Sequence, residues 1–198
     1  MITKISKKIS SEFVKHNIIS DDLVDVYKYG IEITLSTIIG LILTVVIGLL
    51  LSSLIQSMLF YVVFIALRSM TGGYHAKTYF KCNLTFSLIV IFVIIFSKAA
   101  CEMNISFGAL TLLFLPSVLS FIWLAPVENI NKPIEKKKRV YWKIMAVIAS
   151  ILLYFLSIFL YINQHKLEAT VIITTVFSVS VLCMIPIIQK GGDINEKL

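Results

Sequence analysis

The run IEITLSTIIGLILTVVIGLLL, Ile31–Leu51, decides the class of this protein. It holds one ionisable side chain, Glu32, and no proline. At about 1.5 Å of rise per residue, a helix of that length crosses the ~30 Å hydrocarbon core of a bilayer. Further apolar blocks follow at Leu54–Leu67, Leu84–Ala100, Phe107–Leu124, Val140–Ile162 and Ala169–Ile188. The second is short, so it must draw on its flanks, tilt or re-enter. Pro116 marks a kink in the fourth, tolerated where neighbours satisfy the freed carbonyl. The composition agrees: 58% of residues are hydrophobic, 15% are charged, and the mean hydropathy is +0.93. An ordinary soluble domain is about 45–50% apolar and roughly 25% charged. The sequence therefore predicts an all-α integral membrane protein of about six transmembrane helices.

The remaining segments organise around those blocks as one membrane domain over 1–198. Residues 29–188 carry the spans and 189–198 form a polar tail. Residues 1–28 read as an amphipathic cytoplasmic segment. Ile2, Ile5, Ile9, Phe13 and Val14 recur at helical spacing, with Lys4, Lys7, Lys8 and Lys15 between them. Such a helix either lies on an anionic membrane surface or packs on the rest of the protein. It lacks the apolar core of a secretory signal.

With six spans, both termini share a side. Of the 18 basic residues, only Lys98 and Lys166 fall on the other side. The positive-inside bias places the termini and the polar loops, 68–83 and 125–139, in the cytoplasm. That bias accounts for the net charge of +7 without a nucleic-acid partner. The dense run Lys136, Lys137, Lys138, Arg139 suits either anionic lipid headgroups or an acidic segment of a substrate.

The loop RSMTGGYHAKTYFKCN, residues 68–83, holds the one reactive pair, His75 and Cys82. A thiol attacks as thiolate, and an adjacent imidazole generates it and later protonates a leaving amine. Along a single helix their spacing would separate them by about 10 Å, too far for a hydrogen bond of ~3 Å. A bend is therefore required, and Gly72-Gly73 supplies the place for one. Cys82 then falls at the start of the third span. Gly72 and Gly73 serve either an unusual backbone turn or a close approach to a peptide, with N–H groups offered to an oxyanion. Arg68 has three readings: an oxyanion partner, a carboxylate partner, or a side chain snorkelling to the interface. Glu32 is either functional or a structural polar group that reaches water or pairs with Arg68. Cys101 and Cys183 have no His nearby in sequence; Cys183 reads as a small core residue. His16 and His165 read as solvated. The sparse cysteines and histidines form no disulfide framework and no metal motif, and no cofactor is expected.

Arg68-Ser69-Met70-Thr71-Gly72-Gly73-Tyr74-His75-Ala76 followed by Cys82 resembles the signature of the accessory gene regulator B family, membrane peptidases of Gram-positive quorum sensing. Ala125-Pro126-Val127-Glu128-Asn129, Lys132-Pro133 and the following basic run are also similar, as is Tyr29-Gly30-Ile31-Glu32. The resemblance covers almost the whole chain. It implies catalytic roles for His75 and Cys82. The implied substrate is a small propeptide with an amphipathic N-terminus and an acidic tail. The tail is released through an acyl-enzyme thioester, and the remainder closes to a thiolactone or lactone. Homodimerisation is implied as well. A non-enzymatic peptide transporter, or an export or assembly partner, is the competing expectation. It differs in requiring no Cys82 thiol.

Overall fold

The computed structural model describes residues 2–73, 78–127 and 136–195, with side chains over 2–73, 78–127 and 138–186. His75 lies outside the described residues, as do the side chains of Lys136 and Lys137. The chain forms α1 (Ile2–Lys15), a 3-10 turn (Asp21–Leu23), α2 (Val24–Leu50), α3 (Leu54–Thr71), α4 (Tyr79–Glu102), α5 (Phe107–Leu124), α6 (Lys136–Ile162) and α7 (Lys166–Asn195). Six of these helices are long and apolar enough to cross a membrane. The protein is an all-α, multi-pass membrane fold.

One helix organises the rest. In its spanning part α7 is 72% buried, against 17% for α6. α3, α4, α5 and α6 all pack on it. Its buried faces carry Val171, Ile172, Val176 and Val179, but also Thr170, Thr174, Thr175, Ser178 and Ser180. The hydroxyls do not need neighbours. Thr174, Thr175 and Ser178 each donate to the carbonyl four residues back, at 2.6–2.8 Å. Each polar group is thereby satisfied within its own helix, and small side chains let neighbouring backbones approach. Ser180 reaches across to Ser117 of α5 at 3.3 Å. The outward faces are large and apolar, as with Ile148, Leu152 and Phe155 of α6. In a bilayer these face lipid, where burial gains nothing by joining the core.

The turns are asymmetric. The links α2–α3, α4–α5 and α6–α7 are short and lie on one side, because successive spans run in opposite directions. Each contains a residue with positive φ, namely Ser52 (49°), Asn104 (51°) and Gln164 (68°). Each is closed by a 2.8–2.9 Å bond to a carbonyl five residues back: Ser53 to Gly48, Ile105 to Ala100 and His165 to Leu160. Such left-handed turns satisfy the last helical carbonyls at the point of reversal. Lys98 adds a 2.6 Å bond from its ammonium to the Leu51 carbonyl. The ends of the two longer links that the structure describes, at Gly72 and Val127, lie on the other side.

α3 is one continuous helix that draws on its flank, extending through Arg68 to Thr71. Other expectations need correction. α4 begins at Tyr79 and α6 at Lys136, so the basic run is helical. α7 continues into the polar tail, through Asn195. α1 packs against α2 through Ser6 and Ser10, which are fully buried, together with Ile2, whereas Ile5 is 38% exposed. The buried serines bring the two helices close.

The α2–α3 hairpin depends on Gly48. A Cβ there would stand 3.0 Å from the Ser57 Cβ and 3.1 Å from the Leu54 Cα. Gly48→Val is expected to cost about 1–3 kcal/mol by forcing the helices apart, read as a lowered unfolding midpoint in detergent.

Candidate active site

The two long polar links converge. α3 ends in Gly72, with φ +64° and ψ −142°, a conformation favouring glycine. Gly72 forms an isolated parallel bridge with Val127, and Val127 N–H donates to the Thr71 carbonyl at 2.9 Å. A Cβ on Gly72 would run into the Val127 carbonyl. The Gly72 carbonyl is where several groups meet. Arg68 donates to it from its guanidinium. Thr71 Oγ1 donates at 3.3 Å and the Cys183 thiol approaches at 4.0 Å. Gly73, at φ +118°, sits against the Leu182 backbone, where an added Cβ would come within 2.9 Å of the carbonyl oxygen. The Gly-Gly turn is thus clamped between α3, the 125–127 segment and α7.

This arrangement gives Arg68, Gly72 and Gly73 a shared structural task. The Gly72 N–H already donates to the Arg68 carbonyl at 3.1 Å. Cys183 was read as a core residue; it is fully buried and lies beneath the turn. The sequence offers no signal for that placement, since Gly72 and Cys183 are far apart along the chain.

α4 starts three residues before Cys82. Thr78 is extended, at φ −135° and ψ 147°, and caps α4, its side chain accepting the Lys81 N–H at 3.3 Å. The Cys82 N–H bonds to the Thr78 carbonyl at 3.0 Å. Cys82 therefore sits at the end of the first turn of α4 and is partly accessible. It lines a 640 Å³ cavity together with Arg68, Gly72 and Val127.

Glu32 is nearly buried and both its oxygens are engaged. Ser6 of α1 donates to Oε1 at 3.0 Å. Tyr79 donates to Oε2 at 2.7 Å, from the same helical turn as Cys82. The carboxylate thus ties α1, α2 and the start of α4 together. The sequence had Glu32 as a functional group or as a structural one reaching water or Arg68; Ser6 and Tyr79 were missed because neither hydroxyl is near it in the chain. Lys138 and Arg139 are exposed in the first turn of α6. Cations there oppose the helix dipole, so helix stability does not explain them. Trp142, one turn further in, lines the cavity. Among the described residues, no three His, Cys, Asp or Glu side chains converge to hold a metal.

Two outcomes follow from this geometry. Gly72→Ala should cost about 2 kcal/mol or more, from the left-handed backbone and the Val127 carbonyl together. Tyr79→Phe, which strips a donor from a buried carboxylate, should cost about 1–3 kcal/mol. Unfolding in detergent measures both.

The comparisons with known proteins point one way. The family model described as AgrB, accessory gene regulator B, matches residues 2–188. Protein FsrB of Enterococcus faecalis (strain ATCC 47077 / OG1RF) is 27% identical over 132 residues, 67% of this chain and 54% of that protein. An AgrB-like protein of Clostridium beijerinckii is 25% identical over 199 residues, 100% of this chain and 95% of that protein. The accessory gene regulator protein B of Staphylococcus intermedius is 33% identical over 99 residues, 50% of this chain and 51% of that protein. The matches thus span about half the length of the first and third relatives and nearly all of the second. No solved structure matches the chain.

Proposed function

The chain belongs to the accessory gene regulator B family, and from that premise we propose that it is a membrane cysteine endopeptidase of quorum sensing. It acts on a small propeptide with an amphipathic N-terminus and an acidic tail, with its termini and site loop in the cytoplasm. The observation that carries this reading is the position of Cys82. Its thiol lines a cavity at the end of the bundle that bears the long polar links and most of the basic residues. That is the compartment side in which a cytosolic peptide would arrive.

The chemistry uses the chain's own groups. His75 takes the thiol proton as the Cys82 sulfur attacks the carbonyl before the tail. The C–N bond breaks, His75 returns the proton to the departing amine, and an acyl-enzyme thioester remains. A thiol or hydroxyl of the retained peptide then attacks that thioester. Its proton passes through His75 to the Cys82 sulfur, and a thiolactone or lactone closes. Exchange of one thioester for another is close to isoenergetic, so the ring keeps the activation of the acyl-enzyme. Water at the site would divert the intermediate to a linear acid, and the membrane edge limits that access. Lys136, Lys137, Lys138 and Arg139 attract the acidic tail on the same face.

Intact mass spectra of protein in lipid, mixed with such a propeptide, test the mechanism. The wild type should gain the mass of the peptide lacking its tail, and Cys82→Ala should not. Tail release by Cys82→Ala at the wild-type rate would overturn Cys82 as nucleophile, and no adduct and no tail release from the wild type, with binding intact, would favour a non-enzymatic role such as peptide export. Replacing the four basic residues by Gln should raise KM about threefold or more at low salt, with kcat little changed. The difference should shrink at high salt.

A further inference from the structure

The cavity at Cys82 extends well beyond the reacting thiol. It runs between α2, α3 and α4 to Gly40, Tyr61 and Ile89. From Glu32 to Gly40 along α2, or from Cys82 to Ile89 along α4, is about 10–12 Å of helix. The far end therefore lies within the hydrocarbon layer while the mouth opens at the cytoplasmic surface.

The walls say what can occupy it. Phe64, Ile65, Phe86 and Ile89 present apolar and aromatic surface. Three of the cavity's hydroxyls already donate within the protein. Tyr61 donates to the Thr37 carbonyl at 2.8 Å, Thr37 to Ile33 at 2.9 Å, and Thr85 to Lys81 at 2.9 Å. A peptide backbone threaded to the bottom would leave its own polar groups poorly matched. Side chains would not. The Glu32 carboxylate in the wall opposes any acidic residue entering. The exposed cations Lys138 and Arg139 stand outside, one helical turn from Trp142 at the cavity. A cavity of 640 Å³ suits a few side chains.

We propose that this intramembrane groove is the subsite for bulky apolar side chains on the retained, acyl side of the scissile bond, the acidic tail remaining at the mouth beside α6. The assignment rests on the peptidase reading and adds to it a direction for the substrate and a chemical preference. Gly40 sets the depth. A Cβ there would meet the Tyr61 and Phe86 rings at 3.6–3.9 Å, an ordinary contact. Gly40→Ala thus shallows the groove without a clash, and Gly40→Leu fills its end.

The test uses the full chain carrying Cys82→Ala, in lipid, so binding is read without chemistry. The probe is a synthetic peptide with a cysteine, a short apolar run and an acidic tail. A photoreactive phenylalanine analogue replaces one residue, either in the apolar run or in the tail. The first should crosslink to α2, α3 and α4 around Gly40, Tyr61 and Phe86. The second should crosslink to the start of α6. Gly40→Leu should cut the first crosslink about tenfold and Gly40→Ala less, with the tail crosslink changed under about twofold. Crosslinks from the apolar run outside the groove, or equal loss of both crosslinks in Gly40→Ala, would overturn the assignment. Wild-type processing of the unmodified peptide is scored separately. Groove crosslinks without processing would overturn the peptidase reading and leave the subsite standing.

Discussion

Inside a bilayer a backbone N–H or C=O has no water to turn to, so each must be paired by the protein itself. That constraint explains why the chain is helical through the membrane and why its three far-side turns are so alike. Each reversal places one residue in the left-handed region and closes the helix end with a bond five residues back. It also explains the hydroxyl-rich α7. Thr174, Thr175 and Ser178 bond to their own helix, so most hydroxyls of the most buried helix make little polar demand on its neighbours. The other helices can then pack closely around it, with few polar contacts between helices such as Ser180 to Ser117.

The same constraint gives the near side its character. There the chain abandons short turns for two long links, and the backbone freed by them must be satisfied at the membrane edge. The Gly72 carbonyl takes donors from Arg68 and Thr71, and Val127 pairs with Thr71. The peptide units nearest the cavity are therefore held by the protein before any substrate arrives. Glu32 plays the matching part on the opposite wall, accepting from Ser6 and Tyr79. A buried carboxylate with two donors is stable where a lone one would not be. Cys82 stands between these two clusters, on a helix whose first turn is fixed by both the Thr78 cap and Tyr79.

Polar residues in this membrane protein thus divide by partner. Those bonded within their own helix, as in α7, permit close packing. Those bonded between distant segments, as at Gly72 and Glu32, build the site. The two kinds cannot be told apart by residue type, since Ser and Thr occur in both.

Much of the architecture was legible without coordinates. The apolar blocks, including Phe107–Leu124 to the residue, follow from length and hydropathy because a bilayer imposes a minimum run on each span. The end of α3 follows from Gly72-Gly73, both at positive φ. Tertiary structure alone decided which helix is central, since the apolar character of α7 falls within the range of its neighbours. It alone showed α3 running on through Arg68 to Thr71, because the guanidinium finds a carbonyl in the turn that follows. It alone placed Ser6 and Tyr79 on Glu32, and Cys183 under Gly72. These pairings join residues 26 to 111 positions apart, and a local pattern carries no information about which distant hydroxyl or thiol will meet a given acceptor.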